Sequence, residues 1–494
     1  MIYRHSSLSL VALCAAALGL SGCANFSADG GMTFVKAEAG GELGKDVVKI
    51  RTEDDAAATR ARVDALLTKP FSDETAVQIA LLNNRMLQAA YADLGLSEAQ
   101  MVEASLPPSP TISLGRMVTT GTLEIERNIL QNVLGLLTLP RRKEIAEAKF
   151  QQAKVRAVEA TLKIAADARR AYFRAVAANR TVAFLEEART AAEAVSDLAK
   201  KLGETGAMTK LEQAREHAFT ADVNGQLALA RLRQRSEREK LIRALGLWGK
   251  QTAFKLPADL KPLPKAPRIY KDIETEAVKR RVDLELARQD LEIMAKQHGL
   301  TRATRWIDVL EVRVMRNTEW SNSTHYSLDP GPPPTLETET ERERERWRGI
   351  ELEFRIPIFD FGEARTRAVE QQYMGAVHRL IARAIDIRSE AREAYGSYRG
   401  AYEIAMHYQK DVLPLRDIMN KEMLLNYNGM LKDLSSLLVD SRQRIMANIQ
   451  AIEARRDFWL AQVDLHVALV GGGALNGGGG PSAAAGGGGE PAGH

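Results

Sequence analysis

From Pro140 to Pro257 the chain contains no proline, and this run sits inside a succession of elements that occurs twice. A short helix, alternating strands and a very long helical hairpin fill residues 71–270, opening on Ala76-Val77-Gln78-Ile79-Ala80-Leu81 and closing near Leu247. The same order returns over residues 271–470, from Ala277-Val278 to about Val470. Such a duplication describes an elongated object with a small sheet on long helices, not an enzyme built around a pocket. Leu139-Pro140 opens the first long helix, and Ala, Glu, Lys, Arg and Leu carry it to about Lys201. That is about 62 residues, or roughly 93 Å, a length that calls for coiled-coil-like packing.

Gly203-Glu204-Thr205-Gly206 breaks this helix, and a return helix runs to about Leu245. The short helix of the first pass starts at Ser72-Asp73-Glu74, whose side chains cap and complement its amino end, and continues toward Ala104. Leu106-Pro107-Pro108-Ser109-Pro110 stops it, and prolines 257, 262, 264 and 267 make a stiff connector between the passes. In the second pass the short helix covers Ile273 to about Gln297, the outward helix Phe361 to about Asn426, and the return helix Leu431 to about Ala468. Pro414 is expected to bend the outward helix without ending it. Residues 23–70 read as an extended tether with local helix near Asp55–Leu67, and residues 471–494 as a Gly-rich tail unable to bury enough side chain to order itself.

Residues 1–22 read as an export signal: Arg4 and His5 precede an apolar run, Leu8–Leu20, too short for a permanent membrane helix. Leu20-Ser21-Gly22-Cys23 matches the lipobox of bacterial lipoproteins, in which Cys23 becomes the lipid-bearing, palmitoylated first residue. Ala24, which is not aspartate, points to the outer membrane. Cys14 lies in the removed segment, so no disulfide forms within the mature chain.

Ile350, Leu352, Phe354, Ile356 and Ile358 alternate with Glu351, Glu353 and Arg355. Nine residues of this pattern match a tilted membrane strand with lipid on one side and a wet lumen on the other. Upstream, Glu341, Glu343 and Glu345 continue the lumenal phase, and Arg342, Arg344, Arg346 and Arg348 the outer one. A helix would stack Glu341 on Glu345, so the extended reading is preferred, with the arginines placed to meet anionic headgroups or lipopolysaccharide; a charged loop is the alternative for residues 336–346. Arg305–Met315 is the expected partner, and Thr111–Val118 with Leu123–Leu130 the pair of the first pass, turning at Thr119-Thr120-Gly121 and interrupted by Arg127. The strands are therefore placed at about 111–130, 305–315 and 348–358. Four strands cannot close a barrel, and open edges are prohibitive in lipid, so several chains must share one wall.

Ala76–Asn84, the Leu106–Pro110 stop, Ile356-Pro357-Ile358-Phe359-Asp360-Phe361-Gly362 and the duplicated glycine breaks together resemble the TolC-type outer-membrane efflux proteins, lipidated subgroup, over roughly residues 70–470. The resemblance implies a mainly α fold with a membrane β-barrel: a homotrimer with one twelve-stranded barrel continued by a periplasmic α-helical tunnel. It further implies an inner-membrane pump and a periplasmic adaptor as partners and a passive conduit for small molecules or ions. Carried over, Leu202, Gly203, Glu204, Thr205 and Gly206, with Tyr427, Asn428 and Gly429, become the adaptor-docking turns, where glycine otherwise simply ends helices. Asp433 and Asp440 become constriction candidates, with solvated surface acids as the other reading.

No catalytic, metal or cofactor constellation stands out: the eight histidines are dispersed, and there is no phosphate loop, HExxH or nucleophile elbow. Met419 and Met423 read as a helix-packing stripe in preference to a soft-metal site. A formal charge of +4 and 6% aromatic residues supply neither basic stripe nor stacking platform for nucleic acid. Two rivals stay open: the outer-membrane outlet of a type I protein secretion system, and a non-pore, lipid-anchored coiled-coil protein.

Overall fold

The computed structural model describes residues 26–329, 331, 335–429, 431–432 and 434–473. Cys23, Asp433, Met430 and the tail beyond residue 473 lie outside these residues. The supposed tether is packed: Met32, Val35, Ala39 and Leu43, on a short stretch of helical turns, are buried. Their period of three to four residues is the helical signal the glycines had masked. Helix α1, Glu53–Leu67, begins at a reciprocal cap in which Asp55 N donates to Thr52 Oγ1 at 3.2 Å and Thr52 N donates to Asp55 Oδ2 at 3.1 Å.

The short helix of the first pass is two helices, α2 (Asp73–Asn83) and α3 (Arg85–Ser105). The chain leaves helical geometry at Asn84, with φ −68° and ψ 119°. Asn84 Oδ1 accepts from the amides of Met86 and Leu87 at 2.9 and 3.3 Å, restarting the helix as its cap. The Nδ2 groups of Asn83 and Asn84 donate to the carbonyls of Gly246 and Ala244, at 2.6 and 3.0 Å. The break therefore receives the end of a helix 160 residues further along the chain. Gly246, at φ +70°, makes that approach possible, because a Cβ there would lie 2.8 Å from the Asn83 carbonyl oxygen.

Strands β1 (Thr111–Thr119) and β2 (Thr122–Asn132) form a two-residue hairpin with Gly121 at φ +94°. Helix α4 follows at once, from Val133 to Glu204, with Pro140 inside it. The sequence placed the start at the proline, but Asn132 Oδ1 caps the helix by accepting from Gly135 N at 2.6 Å. Pro140, the eighth residue, cannot donate to the Leu136 carbonyl, so the helix forgoes one i→i−4 bond there and continues. Helix α5 (Lys210–Leu245) carries its own Thr209–Glu212 capping box.

The second pass repeats the interruption. Helices α6 (Ile273–Arg280) and α7 (Val282–Ala303) part at Arg281, where φ is −70° and ψ 121°, close to the angles of Asn84. Here the packing is ionic. The buried Arg281 guanidinium pairs with Asp283 at 2.7 Å and Glu390 at 2.5 Å, and Arg383 binds both carboxylates as well. Burial by itself would raise the Asp283 pKa, but Arg281 and Arg383 outweigh it and hold the carboxyl below its ordinary value.

Strands β3 (Val309–Asp329) and β4 (Thr335–Arg355) are far longer than the expected 305–315 and 348–358. Residues 305–308 and 356–358 are not strand, whereas 336–346 is strand and not loop. The four strands make one antiparallel sheet in the order β1-β2-β3-β4. After β4 the chain turns sharply: Phe361 has φ 48°, and Gly362 has φ +69° where a Cβ would collide with the Arg305 carbonyl. Helix α8 (Glu363–His407) passes through a π-helical turn at Tyr408–Val412 into α9 (Leu413–Asn428), and α10 (Leu434–Val470) returns. Pro414 does not end the helix, as expected; a π turn at Tyr408–Val412 precedes this residue, which lacks an amide hydrogen.

Two compact units cut across the duplicated halves. One gathers residues 26–31, 93–153 and 287–380, and thus the whole sheet; the other holds residues 32–92, 154–286 and the described part from 381 onward. In the second unit α4, α5 and α10 share an apolar cluster that includes Leu185, Phe219, Val223, Leu227, Leu438 and Ile445.

Candidate functional site: two faces of the sheet and two hairpin tips

The register decides which residues of the four strands share a face. One face opens with the cross-strand rows Ile112–Ile129–Val314–Ile350 and Gln131–Val312–Leu352, then Leu310–Phe354. Ile350 is 80% exposed and Leu114 77%, so this face has no cover among the described residues. Leaving a large aliphatic side chain in water forgoes about 1.5–3 kcal/mol, so a band of them calls for an apolar surround. The next row on the same face is Leu114–Arg127–Arg316–Arg348. An arginine costs about 2–4 kcal/mol at the middle of a bilayer but only about 0–1 at its edge, and a row of three sets the limit of the apolar band.

The opposite face carries acids. Glu124, Glu126, Glu311, Glu351 and Glu353 lie on it, and the odd-numbered glutamates from Glu339 to Glu345 extend it. Arg313 pairs with Glu351 at 3.1 Å, and Asn317 Nδ2 donates to Glu124 Oε1 at 3.2 Å. Beyond the Thr122–Ser321 pair, β3 and β4 continue as a ribbon paired only with each other. The sheet ends in β1 on one side and β4 on the other.

At the first hairpin tip, Ala207 N donates to Leu202 O at 2.9 Å and Gly206 N to Gly203 O at 3.1 Å, with Gly206 at φ +75°. Gly203 leaves room for Gln213, whose amide lies where a Cβ would be and donates to Met208 O at 3.2 Å. Glu204 and Thr205 are exposed. At the second tip Leu431 N donates to Asn426 O at 2.8 Å, Tyr427 is half-buried, and Asn428 is exposed. Gly429 sits at φ −79°, a conformation open to any residue, so the tight glycine backbone expected at both tips is present only at Gly206.

Asp440 is 4% exposed in the single chain, with Arg416 at 3.9 Å. Glu216, fully buried near the start of α5, has both carboxylate oxygens without a hydrogen-bond partner among the described residues. Burial raises its pKa to about 7, against the smaller opposing pull of Arg442. A groove of about 710 Å³ between α4, α5 and α10 mixes Arg174, Arg233, Glu237 and Glu453 with Leu229 and Met446 and converges on no reactive group. Among the described residues no three of His, Cys, Asp and Glu form a metal-holding group. Among them, too, no helix is long and apolar enough to cross a membrane.

No protein-family model matches the chain, and no curated protein matches it in sequence. Solved structures do match. The outer membrane protein VceC of Vibrio cholerae superposes with a TM-score of 0.65 at 15% identity, covering 83% of this chain and 97% of that one. The CmeC outer membrane channel of Campylobacter jejuni gives 0.63 at 17% identity, over 81% and 86%. The open state of the MtrE outer membrane channel of Neisseria gonorrhoeae gives 0.60 at 14% identity, over 80% and 88%. This chain has the fold of an outer-membrane channel.

In this channel fold the predicted strand residues Ile350, Leu352 and Phe354 do share an exposed apolar face. Ile356 and Ile358 lie past the end of β4, because Pro357 denies the ladder an amide and the chain turns for α8. Sequence reasoning missed the transverse arginine row: Arg127 looked like a flaw in its strand until the register set it beside Arg316 and Arg348. It also missed Glu216, which alternates with ordinary solvated acids along α5 and carries no local mark.

Glu216 gives a prediction for the stability of the helices. Its folded pKa is raised above the unfolded value, so folding carries no penalty below about pH 4.5, loses stability as pH climbs from there to about 7, and levels off above it. Glu216→Gln is expected to raise the unfolding free energy at pH 8 by about 2 kcal/mol, read as a higher denaturation midpoint, and to leave it nearly unchanged at pH 4. Unfolding curves with the same pH dependence in both proteins would contradict this.

Proposed function

We propose that three copies of this chain close their four-stranded sheets into one twelve-stranded barrel and act as the outer-membrane channel of a tripartite efflux system, a passive conduit for small molecules or ions. The observation that carries this is the separation of chemistry across the sheet: an exposed apolar face backed by an acidic one, with both edge strands free. An open edge cannot remain in lipid, and pairing β4 of one copy with β1 of the next removes it. Helices of the length of α4 and α5 supply the wall of a tunnel through the periplasm.

The lipid reading of Cys23 completes the assignment, anchoring the mature amino end to the outer membrane. Leu202–Gly206 and Tyr427–Gly429 are the turns that meet a periplasmic adaptor, itself joined to an inner-membrane pump. Asp433 and Asp440 are the constriction candidates, Asp440 reaching a bore only where α9 and α10 part. The domain division into signal (1–22), tether (23–70), two repeats (71–270 and 271–470) and tail belongs to this proposal, with the tether's helical stretch docked.

Purified, detergent-solubilised protein tests it in one preparation. The expected mass is that of three lipidated chains, and planar bilayers should show discrete single-channel steps. A monomer soluble without detergent, or a trimer that never conducts, overturns the channel. A conducting trimer that associates with a protein exporter in place of an efflux pump overturns only the cargo.

A further inference from the structure

We infer that the sheet's outer face above its apolar band binds the phosphorylated glycolipid of the outer leaflet, with diphosphorylated lipid A as the ligand class. This rests on the channel reading above, since only an inserted barrel presents that face to the leaflet.

The arginines form an ordered set. Row by row above the aliphatics come Leu114–Arg127–Arg316–Arg348, then Arg116–Ile125–Thr318–Arg346, then Val118–Leu123–Trp320–Arg344, and finally Asn322–Arg342. No Asp or Glu occupies this face in any of these rows. All seven guanidinium side chains belong to exposed residues. No ion pair within 4 Å is formed by any of them among the described residues, although Arg342, Arg344 and Arg346 alternate with glutamates along β4. The strand itself is the cause: neighbouring residues point to opposite faces, so each glutamate is held on the far side of the sheet from the arginine beside it. Like charges facing each other across strands repel, and the Arg127–Arg316–Arg348 row places three in line. An anion from outside the chain relieves that repulsion.

The dimensions select among anionic lipids. From Arg348 to Arg342 the strand rises about 20 Å, so the cationic face continues well past the layer in which a phospholipid holds its single phosphate. A glycolipid whose phosphates flank a sugar backbone spans more than one row. Guanidinium groups bind phosphate oxygens in pairs, which suits them to this ligand better than lysine would. Arg344 lies over the Trp320 ring at 5.2 Å, which fixes one guanidinium in place at the third row.

The test uses the full-length trimer in detergent, with native mass spectrometry reading the lipid retained from added diphosphoryl lipid A, monophosphoryl lipid A or phosphatidylglycerol. Diphosphoryl lipid A is expected to be retained about tenfold better than phosphatidylglycerol, with the monophosphoryl form between, and retention should fall as salt rises from about 0.05 to about 0.5 M. Arg127→Gln/Arg316→Gln/Arg348→Gln should lower lipid A retention about tenfold, and the matching lysine variant should restore part of it. Glu343→Gln/Glu345→Gln, on the other face, should change nothing. Equal retention of phosphatidylglycerol, salt-independent retention by the wild type, or full retention by the glutamine variant each overturns the inference. Should that variant not assemble, the wild-type salt series and Arg346→Gln alone decide. Failure here leaves single-channel conductance intact, whereas failure of the channel reading abolishes it.

Discussion

Leu352→Arg should abolish the proposed trimeric channel. Leu352 is 56% exposed on the apolar face, two rows below the arginine row, with Val312 opposite it on β3. In the proposed barrel an arginine at that depth costs about 2–4 kcal/mol per copy, and three copies would repeat the cost, giving about 6–12 kcal/mol per barrel. That is comparable with the whole stability of an ordinary folded domain, about 5–15 kcal/mol. The expected result is loss of the detergent-resistant oligomer and of conductance, with the chain left in the periplasm. Glu351→Gln, one residue away but on the acidic face, is the control: it should assemble normally and change only ion selectivity. If both variants assemble alike, the two faces have been assigned wrongly.

Arg281→Ala is expected to destabilise the helical unit by about 3–5 kcal/mol, the usual result of removing one partner from a buried ionic network. Arg281 is 3% exposed and bridges Asp283 at the start of α7 to Glu390 on α8, and its Nη1 lies 3.4 Å from the Ala468 carbonyl near the end of α10. Without it, Asp283 and Glu390 share only Arg383. The same network sets an acid limit in the wild type. Asp283 has a folded pKa below its unfolded value, so its contribution is complete above about pH 4 and disappears as pH falls through the depressed value. The variant should therefore lose part of the wild type's acid sensitivity as well as its stability. Calorimetry at neutral pH and at about pH 3 checks both statements, and an unchanged midpoint at neutral pH would refute the first.

Some of this architecture could be read directly. The alternation from Ile350 to Arg355 assigns two faces because neighbouring strand residues point in opposite directions whatever surrounds them. The break at Gly203–Gly206 is equally local, since the positive φ at Gly206 is a glycine conformation. The end of α5 at Leu245 was marked by Gly246. Other features were not legible. The upper half of β3, from Asn317 to Asp329, shows little apolar alternation and is extended because β4 supplies its hydrogen bonds. Helix α4 begins ahead of Pro140 because β2 delivers Asn132 to cap it.

Among the candidate sites the same division holds. The aliphatic phase in the 350s was visible in the chain, but the arginine row required the register of three strands, two of them separated by nearly 190 residues. Asp440 looked like a surface acid and is buried against α9, because helix packing and not residue type decides which side of a long amphipathic helix is covered.

What the sequence determined by itself, then, is the local order: which strands have two chemically distinct faces, how far each long helix can run, and where a glycine must reverse it. Those properties follow from backbone geometry and side-chain period over a few residues. What only the tertiary structure decided is where Asn84 and Arg281 interrupt their helices, how long β3 is, and that Arg127, Arg316 and Arg348 stand side by side. Each of these depends on hydrogen bonds, ion pairs or strand pairing with residues far away in the chain, and no local pattern encodes a partner that the fold alone brings near.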